Sequence, residues 1–358
     1  MAKKRVGILT SGGDCPGLNA AIRGVAYAAY NMMDVQFVGI NEGYKGLIEG
    51  KSNEMSHTDF NGILTLGGTI LGTSRQPYRN MRVIENDNVD KVAAMKANYK
   101  KLNLDCLVTL GGNGTHKTAN LLSEEGLNVI GLPKTIDNDL YGTDVTFGFH
   151  SAVDIATDVV DKIHTTANSH GRAMVIELMG NKAGWLTLYA GMGGGADVIL
   201  IPEIPYDMEK IIGCVEDRTL KTRNFAIICV AEGTLSYEES KMKKKEREQK
   251  RSESGFASGS LSIANQIQQR TGIETRVVVP GHYQRGGSPS PYDRVLATQF
   301  GAYAARLIRD GNYGNTVAMI DGKVGHNALK DIAGLKKLVD VGGDMVRTAR
   351  DMGVSFGD

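Results

Sequence analysis

The stretch GLPKTIDNDLYGT, residues 131–143, brings Lys134, Thr135, Asp137 and Asp139 together directly after an apolar run. Two carboxylates and a cation at this spacing suit transfer of a phosphoryl group to a hydroxyl. One carboxylate takes the alcohol proton, the other helps hold hydrated Mg²⁺, and the lysine balances charge. The same residues also fit a polar turn that caps a helix, so the loop alone leaves both readings open.

Glycine clusters supply candidate anion sites. ILTSGGDCPGLNAAIRG reads as a strand, a turn on Gly12 and Gly13, and a helix from about Leu18. Such a turn lets backbone N–H groups approach an anion beside a helix N-terminus. Neither the Walker A pattern nor GxGxxG is met, and a tight turn explains the loop equally well: Leu18-Asn19 stands where Lys-Ser/Thr would hold phosphate and metal. DCLVTLGGNGTHKTANLL repeats the design, with Gly112, Asn113 and Gly114 before Thr115 as the expected N-cap. GGTILGTSRQPYRN adds Arg75 and Arg79, cations suited to phosphoryl charge. In PGHYQRGG, at a strand end, His282 and Arg285 fit either ordinary surface polarity or a grip on a sugar phosphate. Glu232, ending AIICVAEG, would be costly to bury without a partner such as a sugar hydroxyl. Met179 fits either a core or a ligand contact.

These groups need elements to carry them. Nine short Val/Ile/Leu-rich runs (RVGILTS, VQFVGIN, DCLVTLGG, NVIGLP, AMVIELMG, ADVILIP, NFAIICVAEG, ETRVVVPG, TVAMIDG) alternate with helical stretches such as 19–31, 115–125 and 151–167. Runs apolar on both faces indicate largely parallel sheets covered by helices. The expected fold is α/β with two three-layer domains, and the polar clusters fall at strand carboxyl ends, where such folds bind ligands. Residues 236–260 read as a solvated helix and then a flexible Ser/Gly loop, with the Lys-rich part, 241–251, facing solvent.

Composition bounds the function class. Among 358 residues, 45 are glycine, nearly twice the usual share of roughly 7%, so glycine is concentrated in specific loops. A net charge of +1 gives no support for nucleic-acid or membrane-surface binding. Cys15, Cys106, Cys214 and Cys229 lack ligand spacing and read as reduced thiols. No apolar run approaches the roughly eighteen residues of a membrane span, and the N-terminus reads as a strand rather than a signal peptide. A cytoplasmic location is expected.

Over nearly its whole length the chain resembles the phosphofructokinases. The resemblance is carried in order by TSGGDCPGLNAAIRG, GYKGL, GGTILGTSR, GGNGT, PKTIDNDLYGTDVTFGF, SHGRAMVIELMG, AEGT, ETRVVVPGHYQRGGSPSPYDR and GAYAARL. It implies phosphorylation of fructose 6-phosphate at its 1-hydroxyl to give fructose 1,6-bisphosphate, the committed step of glycolysis. It implies a donor-binding domain of residues 1–148 with 284–333, a fructose 6-phosphate domain of 149–283 with 334–358, and an active site in the cleft between them. The general base falls on Asp137, with Thr135 beside the acceptor and Asp139 near the metal. Gly12, Tyr44, Arg75, Gly112, Asn113, Gly114, Thr115 and Lys134 fall on the donor side, and Arg75 stabilises the transferring group. Fructose 6-phosphate falls to Met179, Gly180, Glu232, His282 and Arg285. Arg172 and Arg276 match arginines that come from a neighbouring subunit, implying a homo-oligomer, usually a tetramer.

Several positions depart from the family pattern. Asn113 stands where the family has an Asp metal ligand, and Asn181 replaces an Arg beside Lys182. Lys221 and Arg223 match effector ligands, whereas His164 and Phe225 do not. Gly114 matches ATP enzymes and Lys134 matches pyrophosphate enzymes. The expectation is ATP with Mg²⁺, with pyrophosphate as the alternative donor. A non-catalytic regulatory subunit and an NAD kinase are further alternatives. PGHYQRGG and ETR argue against the NAD kinase, and the intact Asp137 loop argues against the regulatory subunit.

Overall fold

The computed structural model describes residues 3–84, 89–253, 255–256 and 258–358. The chain divides into two compact units, Met1–Ser151 with Arg285–Lys337, and Ala152–Gln284 with Leu338–Asp358. Eleven strands occur among the described residues. They are β1 (Lys4–Ser11), β2 (Val35–Ile40), β3 (Ser52–Met55), β4 (Cys106–Gly111), β5 (Val129–Pro133), β6 (Ala173–Leu178), β7 (Val198–Leu200), β8 (Ala226–Ala231), β9 (Thr275–Val278), β10 (Asn315–Ile320) and β11 (Lys323–Ala328).

The first unit holds a seven-stranded sheet in the order β11-β10-β5-β4-β1-β2-β3. Its central strands are parallel, and β4 and β5 are buried along their whole length, as their unbroken apolar sequences require. Antiparallel β3 and β11 close the two edges. The sequence reading missed both, because SNEM and KVGHNA are mostly polar and carry no apolar run, Met55 alone being buried. On one face, the helices Leu18–Met32 and Pro291–Arg309 approach closely through glycine. A methyl group on Gly301 would sit 2.5 Å from the Ala21 carbonyl oxygen.

The chain leaves β1 first toward β2 and later returns to β4 on the other side, so the order reverses between β1 and β4. Ligands of open α/β sheets bind beyond the strand ends at such a point. Here Ser11 lies opposite Gly111, and Gly111 opposite Pro133, so three strands end in one row.

The second unit holds a parallel four-stranded sheet, β7-β8-β6-β9. Its core joins Val175, Val198, Ile228 and Val230 of the strands to Ile211 and Ile263 of the covering helices. Leu178 lies opposite Ala231, so the segments after β6 and β8 emerge side by side.

Candidate active site

Beyond the row of strand ends in the first unit lies a cavity of about 370 Å³, lined among others by Gly12, Arg75, Gly114, Lys134, Asp137 and Asp139. Cross-ties between the loops fix its shape. Gly12 has φ +88°; its N–H donates to the Ser74 carbonyl at 3.0 Å and its carbonyl accepts from the Thr73 hydroxyl at 2.7 Å. The β1 turn is thus spent on holding the Arg75 segment, rather than offering the Gly12 amide to an anion. Arg75 itself is exposed on the cavity, whereas Arg79 does not line it.

The second glycine loop runs directly into the helix Asn113–Glu124, whose N-terminal residues face the cavity with no acidic residue in the first turn. That end suits an anion. Thr115 is not the N-cap expected from sequence. Gly112 occupies the cap, and the buried Thr115 hydroxyl donates to the Ser11 carbonyl at 3.3 Å, tying the helix to β1. Tyr44 also differs from expectation. Its ring is buried and its hydroxyl donates to the Thr115 carbonyl at 2.9 Å, so it supports the floor without lining the cavity. Beneath the same turn, the neutral His116 ring spans from the Gly112 carbonyl at 3.1 Å to the Thr316 hydroxyl at 2.7 Å. Burial lowers its pKa to about 4.

The loop after β5 delivers the carboxylates. Lys134 is buried with its ammonium on the Gly13 carbonyl, and burial pulls its pKa below the usual lysine range. The Thr135 hydroxyl accepts from the Asp137 N–H at 3.1 Å. Asn138 has φ +51°, a left-handed conformation uncommon outside glycine. Its buried carboxamide oxygen accepts from the Thr146 N–H at 3.1 Å and from Lys337 at 3.0 Å. Asp137 and Asp139, on either side of it, both line the cavity. Asp139 also lies 3.7 Å from the Lys336 ammonium.

Asn113 donates from its Nδ2 to the Leu335 carbonyl at 2.7 Å, while its buried Oδ1 has no hydrogen-bond partner. No group of three or more His, Cys, Asp or Glu able to hold a metal occurs among the described residues. Arg285 belongs with this first-unit cavity. It donates to the Asp14 carbonyl at 3.1 Å, lines the wall, and leaves its buried Nε without a partner. Sequence reasoning missed Gln76 and Pro77, which line the cavity beside Arg75, and Lys336 and Lys337, which stand outside any chemical motif.

In the second unit, Met179 and Gly180 follow β6 and Glu232 follows β8. The Met179 N–H donates to the buried Gln284 carboxamide at 3.2 Å, and the Glu232 N–H donates to the Leu178 carbonyl at 2.9 Å. Glu232 and His282 are exposed, so the cost of burying Glu232 unpaired does not arise. Met179 is half-buried and is not among the core residues. Arg172 and Arg276 share one carboxylate, Glu274, with the Arg172 pair at 2.9 Å. Asn181 and Lys182 are exposed. Lys221 pairs with Asp217, and the ring of Phe225 contacts both His164 and the Arg223 guanidinium.

Loops at a switch point, a helix N-terminus and paired carboxylates define a phosphate-handling α/β protein. The phosphofructokinase family profile matches residues 5–308, and the chain belongs to that family. It is 56% identical to the ATP-dependent 6-phosphofructokinase of Spirochaeta thermophila, covering 100% of this chain and 98% of that one. It is 45% identical to ATP-dependent 6-phosphofructokinase 3 of Bacteroides thetaiotaomicron, covering 99% and 100%. Among solved structures, the Saccharomyces cerevisiae phosphofructokinase matches with a TM-score of 0.80 at 30% identity, over 92% of this chain and 45% of that one. The pyrophosphate-dependent phosphofructokinase of Nitrosospira multiformis matches at 0.82 and 20% identity, over 99% and 93%, a likeness of fold.

Proposed function

We infer that this chain catalyses ATP-dependent phosphorylation of fructose 6-phosphate at its 1-hydroxyl, giving fructose 1,6-bisphosphate and ADP. The observation that carries the reading is the shared cavity, where Asp137 and Asp139 face the same space as Arg75 and an acid-free helix N-terminus. Asp137 accepts the proton of the 1-hydroxyl as its oxygen bonds to phosphorus and the bond to ADP breaks. Arg75, exposed on the wall, balances charge on the transferring group. The amides of the helix beginning at Asn113 receive donor phosphate.

The residues fit a Mg²⁺ ion: Asp139 would hold it with its carboxylate, and Asn113, whose buried Oδ1 has no hydrogen-bond partner, stands on the same cavity. Such an ion supplies charge neutralisation to the donor phosphates. In the second unit, Arg172, Met179, Gly180, Glu232, Arg276 and His282 are assigned to fructose 6-phosphate. Arg285, at the edge of the first unit, is assigned to it as well. The protein is a homo-oligomer, a tetramer by family resemblance, in which Arg172 and Arg276 serve a neighbouring copy.

ATP is favoured as donor over pyrophosphate by two features. A methyl group on Gly114 would meet no atom within 4 Å, so the helix end leaves space for a nucleotide. Lys134, the residue that resembles the pyrophosphate enzymes, spends its ammonium on the Gly13 carbonyl. Purified protein with fructose 6-phosphate and Mg²⁺, offered ATP and pyrophosphate separately, is expected to show the higher kcat/KM with ATP. The reverse ratio overturns the donor assignment. Asp137→Asn is expected to lower kcat by about 10²–10⁴ with folding retained; a loss of under about threefold removes Asp137 from the role of base.

A further inference from the structure

The loop that carries Asp137 is fastened by a residue 199 positions away from Asn138 in the chain. The Lys337 ammonium donates to Asn138 Oδ1 at 3.0 Å, to the Thr143 carbonyl at 3.0 Å and to the Asp144 carbonyl at 2.7 Å. An ammonium has three N–H groups, so these acceptors match its full donor set. The backbone around it joins the same loop. The Lys337 N–H donates to the Asp139 carbonyl at 3.0 Å, Lys336 forms an antiparallel bridge with Leu140, and the Leu335 carbonyl receives Asn113.

Asn138 is the piece that needs fastening. Its left-handed conformation is one that Asn adopts more readily than other residues with a Cβ, and hydrogen bonds to its carboxamide oxygen hold it there. The donors on that oxygen are Lys337 at 3.0 Å, the Thr146 N–H at 3.1 Å and, at 3.5 Å, the Thr146 hydroxyl. The conformation of Asn138 sets the directions in which its neighbours Asp137 and Asp139 leave the chain. Releasing Lys337 removes the one donor to Asn138 that comes from outside Thr146, and the tie to the Thr143–Asp144 turn with it. A displacement of about 1 Å in a reacting group can cost about 10²-fold in rate.

We propose that Lys337 is a positioning residue for phosphoryl transfer, holding Asn138 so that Asp137 meets the acceptor hydroxyl. The proposal rests on the reading of Asp137 as base. In the full chain, Lys337→Met is expected to lower kcat about 10²-fold while KM for ATP and fructose 6-phosphate moves by less than about threefold. In Lys337→Ala, added ethylammonium is expected to restore kcat at least about fivefold, and the same concentration of tetramethylammonium is not. The double variant Asp137→Asn/Lys337→Met is expected to be about as slow as Asp137→Asn alone, because Lys337 acts through that carboxylate. A kcat for Lys337→Met within about threefold of the parent, or losses that multiply in the double variant, overturns the proposal. If Lys337→Met does not fold, Asn138→Gly keeps the left-handed backbone and removes the acceptor; a kcat there within about threefold of the parent overturns the proposal as well. Asp137→Asn measured alone judges the base assignment separately from Lys337.

Discussion

Under the proposed ATP reading, Gly114 favours the nucleotide by what it lacks. It is exposed, lines the cavity, and has no atom within 4 Å of where a Cβ would lie. An Asp side chain there would reach into the space left for nucleotide without disturbing the helix. Gly114→Asp is expected to suppress kcat/KM for ATP far more than for pyrophosphate; comparing both donors in parent and variant measures this, and equal suppression would refute it. At this scale the sequence was legible wherever chemistry demands a rare residue type. Asp137, Asp139, Arg75 and the Gly112–Gly114 run are all found on one cavity. It was illegible where a side chain serves a backbone group. Tyr44, Thr115 and Lys134 each bond a carbonyl of another segment, and Lys337 bonds two, because any donor of suitable length can meet an amide oxygen. Residue type alone gives no sign of such a partner.

Elements were legible where they are buried. All nine apolar runs became strands, while the polar edges β3 and β11 passed unseen. The charged stretch behaves similarly. The helix Lys244–Glu253 buries no side chain, as its composition requires, but Arg251 turns inward to Glu239 at 2.7 Å and so departs from the solvent-facing expectation. Ser254 and Ala257 of that stretch lie outside the described residues. Replacing 244–250 with neutral residues is expected to leave kcat within about threefold of the parent. Arg251→Ala is expected to cost ~1–3 kcal/mol in thermal or urea unfolding, since Glu239 loses its charged partner. Loss of turnover in the folded 244–250 variant would give that helix a part in catalysis. The helix Asn113–Glu124 is joined to β10 by His116, whose pKa burial lowers to about 4 from an ordinary value near 6.5. Above pH 6.5 both folded and unfolded chains carry this ring neutral. Between 6.5 and 4 the unfolded chain binds a proton that the folded chain refuses, so stability falls as pH falls, by up to ~3 kcal/mol. Urea unfolding from pH 7 to 4 is expected to show a steeper loss in the parent than in His116→Gln; parallel curves would mean that the folded ring protonates normally.

For the whole molecule, the charge around Glu274 bears on assembly. Two arginines meet one carboxylate, and Arg276 keeps about half its side chain exposed, so the cluster retains a positive charge at the surface of the second unit. A lone protomer gains little from such a surplus, since exposed ion pairs contribute only about 0–1 kcal/mol. On the proposal that Arg172 and Arg276 serve a neighbouring copy, a sugar phosphate bound there would take up the surplus through charge-assisted hydrogen bonds to guanidinium. On this reading Arg276→Ala weakens fructose 6-phosphate binding by about 10–100-fold and leaves KM for ATP nearly unchanged. The two defects then lie in different copies' contributions to each site. An Asp137→Asn subunit supplies a good Arg276, and an Arg276→Ala subunit supplies a good Asp137. Mixed under conditions of subunit exchange, two poorly active variants are expected to recover activity, because some hybrid sites receive both intact residues. Heterodimers or larger hybrids seen by native mass spectrometry without any gain in turnover would show that each chain completes its own site.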